Sequence, residues 1–253
     1  MSESIPGLRV LAFGGLAPAV WGIGWFPDPD APGVVALGDS AAPPALSSVA
    51  LSAADEREDW HLGDGGLLAA PVAEPVAVQV AQDALAGHDQ LCRVTGRVTL
   101  DDGAEREVDC LGVRTWFSGP IELDRYDSIR AVTSWFEPDE ALAVTALRTR
   151  KAKGHDADLL AGALISPESA QAAEDPRLST TYEAEGWPVR AGLELWVADN
   201  EDSERQYPRR ASGEAAGPRV ETAAGAVTLR AEPFRWHSRG RDGAGMYILA
   251  RRR

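Results

Sequence analysis

Residues 91–112, with the sequence LCRVTGRVTLDDGAEREVDCLG, form the stretch that decides the fold. Apolar and polar side chains alternate on both sides of the DDG at 101–103, and alternating residues of a strand point to opposite faces of a sheet. The pattern predicts a β-hairpin whose three-residue loop places Gly103 in the left-handed conformation. This loop pairs Leu100 with Ala104 and brings both apolar sets to one face.

A similar hairpin pattern occurs near the end of the chain. Residues 234–251, FRWHSRGRDGAGMYILAR, predict a hairpin that turns around Arg241, Asp242 and Gly243. Each hairpin comes late in a block about the size of an ordinary domain. We therefore expect two tandem β units, at residues 7–118 and 119–253, with Gly119 and Pro120 in the turn between them.

The predicted register of the first hairpin also bears on the two cysteines. It places Cys92 opposite Gly112 and Cys110 opposite Val94, so that the two sulfurs lie diagonally across the ladder. Diagonal neighbours are roughly 7 Å or more apart at their Cα atoms, which is beyond ordinary disulfide reach. We expect both cysteines to be reduced, small, buried apolar residues.

Charge and composition limit the partners. The chain has 25 Lys and Arg against 39 Asp and Glu, a formal net charge of −14, and so acidic a surface repels nucleic acid. No uninterrupted apolar run reaches the ~18 residues of a membrane span, and no export signal opens the chain. The sequence predicts a soluble, cytoplasmic protein that binds neither nucleic acid nor membrane.

Turn-forming residues divide the rest of the first half. Five prolines predict a loop over residues 26–44, since proline is excluded from central strands. Short strands are predicted at 49–51, 66–70 and 76–80. In the second half, residues 168–174 (ESAQAAE) are the best short helix, preceded by a serine and a proline that suit its first turn.

Residues 128–150 indicate which kind of β unit this is. A four-residue loop, Glu137 to Glu140, is predicted to pair Phe136 with Ala141. Neither face of the resulting hairpin is cleanly polar, and strands covered on both sides lack sharp alternation. A closed or nearly closed barrel packed on its twin explains this pattern. A two-sheet sandwich is the alternative.

Four segments carry a family resemblance. They are REVDCLGVRTW (106–116), DRYDSIRAVTSWFEPDEALAVTALRTRKAKGHDADLLAGAL (124–164), DPRLSTTYEAEGWPVRAGLELW (175–196) and YPRRASGE (207–214). Residues 91–253 resemble the tandem lipocalin-like, calycin-type family that includes the carotenoid hydratases, or hydroxyneurosporene synthases, and uncharacterised bacterial relatives.

The resemblance implies an all-β protein of two lipocalin-like antiparallel barrels packed on each other, with few short helices. Characterised members of the family act on polyenes, terpenoids or polyketide-derived chains. They catalyse hydration, isomerisation or cyclisation without a redox cofactor. We therefore expect an apolar small-molecule ligand and no cofactor.

Motifs for metal and nucleotide chemistry are missing from the sequence. The four histidines, at 61, 88, 155 and 237, have no second ligand at a convincing metal spacing. A Gly-His-Asp triplet occurs at 87–89 and again at 154–156. Each precedes a predicted strand, so a turn with a capping aspartate is the simpler interpretation. No metal site is predicted.

The chain contains eight tryptophans, which is unusual. Each offers a large apolar surface and one N–H, which suits a pocket for an elongated apolar ligand with a polar end. Packing in the core or between the units is the alternative role of each. The residues predicted to bind ligand are Trp116, Arg130, Trp135, Trp196 and Trp236.

Two titratable residues near these tryptophans are candidate catalytic groups. Glu194 shares a predicted strand face with Arg190 and Trp196, and His237 follows Trp236. A buried Glu194 beside an aromatic wall would have a raised pKa and could donate a proton. An exposed ion pair with Arg190 is the alternative.

Three functions fit these observations: a cofactor-independent enzyme, a carrier of an apolar ligand, and a structural or interaction protein with filled barrels. An enclosed cavity separates the first two from the third. A buried, unpaired acid or imidazole in that cavity separates the enzyme from the carrier.

Overall fold

The computed structural model describes residues 4–17, 20–28, 30–39, 44–53, 57–63, 66–80, 85–100, 103–152, 158–197 and 208–253. Nearly all of the regular structure is β, as predicted. One 3-10 turn, Leu123–Arg125, is the sole helical element among these residues. None of them belongs to a helix that could cross a membrane.

Twenty-two strands follow one another along the described chain. Those of the first half are β1 Ser4–Ile5, β2 Leu8–Gly14, β3 Trp21–Phe26, β4 Gly33–Gly38, β5 Ala45–Val49, β6 Leu51–Ser52, β7 Trp60–Leu62, β8 Leu67–Pro71, β9 Val76–Val80, β10 Leu85–Thr99, β11 Glu105–Ser118 and β12 Ile121–Glu122. Those of the second half are β13 Tyr126–Phe136, β14 Glu140–Thr149, β15 Asp158–Ile165, β16 Ala170–Ala172, β17 Asp175–Tyr182, β18 Pro188–Trp196, β19 Arg209–Ala215, β20 Val220–Ala224, β21 Val227–Ser238 and β22 Arg241–Arg252.

Twenty of the strands form two sheets with the same topology, and β1 pairs with β12 in a separate two-stranded sheet. The first sheet has the order β5-β4-β3-β2-β11-β10-β8-β7-β6, and β9 pairs with β10. The second has the order β16-β15-β14-β13-β22-β21-β19-β18-β17, and β20 pairs with β21. Strand by strand, the second sheet repeats the first. The fold is therefore a tandem pair of antiparallel β units, while the limits 7–118 and 119–253 remain a prediction.

Chain connectivity makes each sheet curl into a barrel. In the first sheet β5 and β6 are at opposite edges, yet only Ala50 separates them in sequence. In the second, β16 and β17 are at opposite edges and are two residues apart. Edges joined by so short a link must approach each other at that end, which bends each sheet into a barrel-like shape.

Three apolar cores hold the molecule together. One fills the first barrel and includes Phe13, Trp60 and Trp116. Another fills the second barrel and includes Trp236 and Tyr247. The third lies between the barrels, where outward-facing side chains of both meet; it includes Ile23, Trp25, Ile129, Trp135 and Ile248. Strands at the junction are therefore apolar on both faces. One face lies toward the interior of their own barrel, and the other packs against the other barrel.

The first hairpin forms as predicted. The Leu100 N–H donates to the Ala104 carbonyl oxygen over 3.1 Å, and Gly103 has a φ of +75°. Asp101 and Asp102 lie outside the described residues. Cys92 faces Gly112 and Cys110 faces Val94 in the ladder. This register confirms the diagonal placement, and both cysteines are free and buried.

Two predicted turns are wrong in position. The second hairpin turns at Arg239 and Gly240, both with positive φ, so that Ser238 pairs with Arg241. A two-residue loop of this kind matches the twist of the flanking strands. In the hairpin of β13 and β14, Phe136 pairs with Glu140 rather than with Ala141. A shift of one residue exchanges the faces, so the predicted partners of each face of β13 are reversed.

Three further expectations are corrected. Residues 26–44 contain strand β4, because the prolines flank the strand instead of interrupting it. Residues 168–174 contain the edge strand β16, which pairs with β15, in place of a helix. Strands β2 and β3 occupy a glycine-rich segment where the sequence predicted none. In each case pairing with a neighbouring strand outweighs local preference.

Candidate functional site

A cleft opens where the two barrels meet. Its outer part has a volume of about 270 Å³, and an inner part of about 90 Å³ adjoins it. The residues that line both parts are Gly14, Gly15, Leu16, Trp135 and Ala244. Leu16 is one of two large apolar side chains that are exposed among the described residues. Residues of both units therefore form the apolar floor of the cleft.

Trp135 joins the two sides of this cleft. Its indole Nε1 donates a 2.7 Å hydrogen bond to the carbonyl oxygen of Gly14. Gly14 ends β2 opposite Trp21, and a Cβ there would approach the Trp21 Cβ to 3.1 Å. Glycine at this position therefore lets the end of β2 lie close to the backbone and Cβ of Trp21.

A second indole beside the inner cleft lacks an acceptor. Trp21 is 4% exposed, and its Nε1 is buried without a hydrogen-bond partner among the described residues. This nitrogen is 3.7 Å from the position of a Cβ built on Gly217, next to Ala216 in the lining of the inner cleft. A buried donor without an acceptor destabilises the fold by the cost of its desolvation.

Carboxylates surround the mouth of the outer cleft. They are Glu107, Asp109, Glu137 and Asp242. Arg93 of the first barrel binds Asp109 over 2.6 Å and reaches Glu137 of the second barrel over 3.2 Å. Its hydrogen bond lowers the pKa of Asp109. The rim is therefore acidic and is tied across the junction by one arginine.

The thiol of Cys110 also lines the outer cleft. Burial raises its pKa to about 12. A thiol with so high a pKa is almost entirely protonated at neutral pH and is a poor nucleophile. Cys110 is therefore an apolar wall of the cleft.

Arg130 lies at one end of the second barrel, away from the cleft. Its guanidinium forms an ion pair with Asp158, and both side chains are nearly inaccessible to solvent. The nearby hydroxyls of Tyr182 and Tyr247 are 2.8 Å apart. Charged and hydroxyl residues predominate among those that line a cavity of about 170 Å³ beside Arg130 and Tyr182. Arg130 therefore lies apart from the cleft at Trp135.

Glu194 and His237 come together, but on the outer face of the second barrel. Both line an open groove of about 570 Å³. Glu194 binds Arg210 over 2.8 Å and Arg177 over 3.3 Å, while Arg190 pairs with Glu214. The hydrogen bond from Arg210 lowers the pKa of Glu194. The expectation of a raised pKa is therefore wrong, because the arginines stabilise the carboxylate.

The remaining predicted tryptophans lie in three different places. Trp116 is inside the first barrel, stacked on His88 at 5.0 Å between ring centroids. Trp236 is fully buried inside the second barrel. Trp196 is on the outer face, where its Nε1 donates to Glu194 over 3.1 Å. The predicted ligand-binding residues thus do not form one site, and Trp135 alone lines the cleft between the barrels.

Sequence reasoning missed several buried polar groups, among them Arg114 and Asp89 in the first unit. Arg114, fully buried in the first barrel, donates to Gln90 Oε1 from Nε and Nη2 at 2.9 and 2.6 Å. Asp89 is 1% exposed; burial raises its pKa to about 6, partly offset by a hydrogen bond from Thr115. Strand alternation places Arg114 on the face of Cys110, and Asp89 on the face of Leu91. That parity could have revealed Arg114 as a charge facing the barrel interior and Asp89 as a charge facing the core between the barrels.

No group of three or more metal-ligating side chains occurs in the part of the chain that the structure describes. His88 is stacked on Trp116, and His237 is exposed with Asp242 at 3.0 Å. The second Gly-His-Asp triplet, at 154–156, lies outside the described residues.

Solved structures share this fold at low sequence identity. The crystal structure of CghA with Sch210972 has a TM-score of 0.64 and 10% identity, and the match covers 99% of this chain and 88% of that one. A structure of a proposed ATTH from Nitrosomonas europaea has a TM-score of 0.61 and 10% identity, covering 97% and 91%. No protein-family model matches the sequence. No curated protein matches it significantly. The likeness supports a tandem barrel fold.

Proposed function

We propose that the protein binds an apolar small molecule, of the terpenoid, polyene or polyketide-like kind, in the cleft between its barrels. The observation that carries this proposal is the apolar cleft at Trp135, with the indole of Trp21 in the wall of its inner part. An elongated apolar ligand would cover this floor. The combined volumes are near the lower end of the range for small-molecule sites, roughly 300–1,000 Å³.

Two observations favour this place over the barrel interiors. The first barrel is filled by its own side chains around Arg114, and the second is filled around Trp236. CghA, which has the same fold, was determined with Sch210972. A ligand site is therefore compatible with this architecture.

Binding fits the geometry better than catalysis by the predicted pair. Glu194 has a lowered pKa and is ionised at neutral pH, so it is a poor proton donor. Hydration, isomerisation or cyclisation, as in the carotenoid hydratases that the sequence resembles, remains a hypothesis for Glu194 and His237 in the outer groove.

The test is a titration with N-phenyl-1-naphthylamine, a neutral apolar probe whose emission rises in apolar surroundings. Leu16→Ala should weaken probe binding by roughly tenfold, the effect of about 1.5 kcal/mol of lost apolar contact. Leu46→Ala is the matched control, because Leu46 is similarly exposed on β5 and lines neither part of the cleft.

Variants of the outer groove distinguish the two sites. Trp196→Ala and Glu194→Gln should leave probe binding unchanged if the cleft is the site. Weakened binding in these two variants with normal binding in Leu16→Ala would assign the ligand to the outer groove. Absence of any saturable binding would overturn the proposal.

A further inference from the structure

We propose that the second barrel has a separate binding site, at its Arg130 end, for a small carboxylic acid in its ionised form. This site goes beyond the proposed function and is independent of the cleft at Trp135. Three of the residues that line its cavity of about 170 Å³ are arginines, namely Arg130, Arg148 and Arg251.

Strand register brings the three arginines together. Arg130 on β13 and Arg251 on β22 are diagonal neighbours, because Arg130 pairs with Leu249 and Ser128 pairs with Arg251. Arg148 on β14 is opposite Ser128. Each arginine belongs to the side of its strand that faces the barrel interior, as Leu249 does in the core. The guanidinium groups therefore converge at one end of the barrel.

Positive charge exceeds negative charge at this end. Among the described residues, two carboxylates line the cavity or pair with its arginines. Asp127 is in the lining, and Asp158 binds Arg130 and faces Arg148 in the ladder. Three guanidinium groups and two carboxylates leave one positive charge. A single carboxylate neutralises that charge, whereas a phosphate dianion would exceed it.

Arg130 is the most rigidly held donor of the site. Its side chain is 4% exposed, and its Nη2 donates to Asp158. Nε is enclosed by protein atoms, so Nη1 is the donor that remains for the cavity that Arg130 lines. A guanidinium held in this way is a preorganised partner for a carboxylate oxygen.

A chain of hydroxyls supplies another donor. The hydroxyl oxygen of Tyr247 is 3.1 Å from Thr180 Oγ1 and 2.8 Å from the hydroxyl oxygen of Tyr182, which lines the cavity. Each hydroxyl has one proton. If Thr180 donates to Tyr247 and Tyr247 to Tyr182, the proton of Tyr182 is left for a ligand. A bound carboxylate favours this direction, because it accepts hydrogen bonds and donates none.

The experiment titrates the intact protein with benzoate, benzamide and inorganic phosphate, followed by calorimetry at neutral pH and constant ionic strength. Benzamide has the shape of benzoate without its charge. We expect benzoate to bind about tenfold more tightly than benzamide, since its hydrogen bonds to arginine are charge-assisted. Benzoate should also bind more tightly than phosphate.

Variants of the lining residues locate the benzoate. Arg251→Gln and Tyr182→Phe each remove one donor and should weaken benzoate binding several-fold. Arg253→Gln is the matched control for Arg251→Gln. It removes an exposed arginine two residues further on, outside the cavity lining, and should change benzoate binding little. Arg130→Gln is less informative, because it leaves Asp158 buried without its partner and destabilises the fold.

Several results would overturn the site. They are equal binding of benzoate and benzamide, absence of saturable benzoate binding, and tighter binding of phosphate. A benzoate affinity that is unchanged in Arg251→Gln and Tyr182→Phe would also overturn it. So would an equal loss in Arg251→Gln and Arg253→Gln, because the attraction would then come from net charge.

The same variants keep this site distinct from the proposed function. Their residues lie outside both parts of the cleft, so each variant should bind N-phenyl-1-naphthylamine as the parent does. Benzoate binding is therefore decided independently of whether the cleft binds the probe.

Discussion

The indole of Trp135, in the second barrel, donates its N–H to the carbonyl oxygen of Gly14, in the first, over 2.7 Å. This buried bond lies where the cleft meets the core between the barrels. Trp135 thereby serves two purposes. Its hydrogen bond joins the two units, and its side chain forms part of the apolar floor of the cleft.

Trp135→Phe should reduce the free energy of unfolding by about 1–3 kcal/mol. The variant leaves the Gly14 carbonyl oxygen buried without this donor, and such a group costs its desolvation energy. Chemical denaturation followed by circular dichroism measures the change.

Trp196→Phe is the control for that substitution. It also removes an indole hydrogen bond, to Glu194, but on a partly exposed surface where water can replace the donor. Its effect should be clearly smaller. Equal losses in the two variants would show that the Trp135 bond has no special role between the barrels.

Asp89 should make the protein less stable as the pH rises from about 4 through 6. Its pKa in the folded state is about 6, above the ordinary 3.8, because the carboxyl is buried. The folded state therefore holds a proton that the unfolded state has already lost, and stability falls with rising pH in this window.

Asp89→Asn isolates this effect. The unfolding free energy of the variant relative to the parent should rise by a few kcal/mol between pH 4 and pH 7, because the amide does not titrate. Urea denaturation at a series of pH values measures it. A difference that is independent of pH would mean that Asp89 is not buried as the structure shows.

Glu194 should have the opposite dependence on pH. Arg210 and Arg177 lower its pKa in the folded state, so the stabilisation that it contributes is present at neutral pH and is lost as the pH falls through that lowered pKa. Glu194→Gln should therefore be less stable than the parent at neutral pH and approach it in acid. A raised apparent pKa of Glu194, measured by NMR, would restore it as a candidate proton donor.

Both cysteines should resist alkylation in the native state. Burial raises the pKa of Cys92 and of Cys110 to about 12, so that little thiolate forms even in mild alkali. Mass spectrometry after brief treatment with iodoacetamide should show no label on the native protein and two labels after denaturation. Rapid native labelling of Cys110 would show that the cleft opens further than the structure indicates.

The first hairpin and its register could be predicted because residues close together in the sequence specify both. The alternation around residues 101–103 and the glycine at 103 leave one loop length that puts Cys92 and Cys110 on the apolar face. The face assignment of Glu194 and Trp196 followed from the same period of two. The sequence could not predict the charges around Glu194, because Arg177 and Arg210 belong to neighbouring strands.

Local pattern by itself determined that the chain forms antiparallel β units, that these units repeat, and which side chains share a strand face. Tertiary structure alone decided which face turns into a barrel and which turns toward the other barrel, because both are apolar. It separated Trp116, Trp135, Trp196 and Trp236 into four environments, and it brought Gly14 to Trp135 across 121 residues of sequence. Contacts over such distances depend on the closure and packing of whole sheets, which no local period encodes.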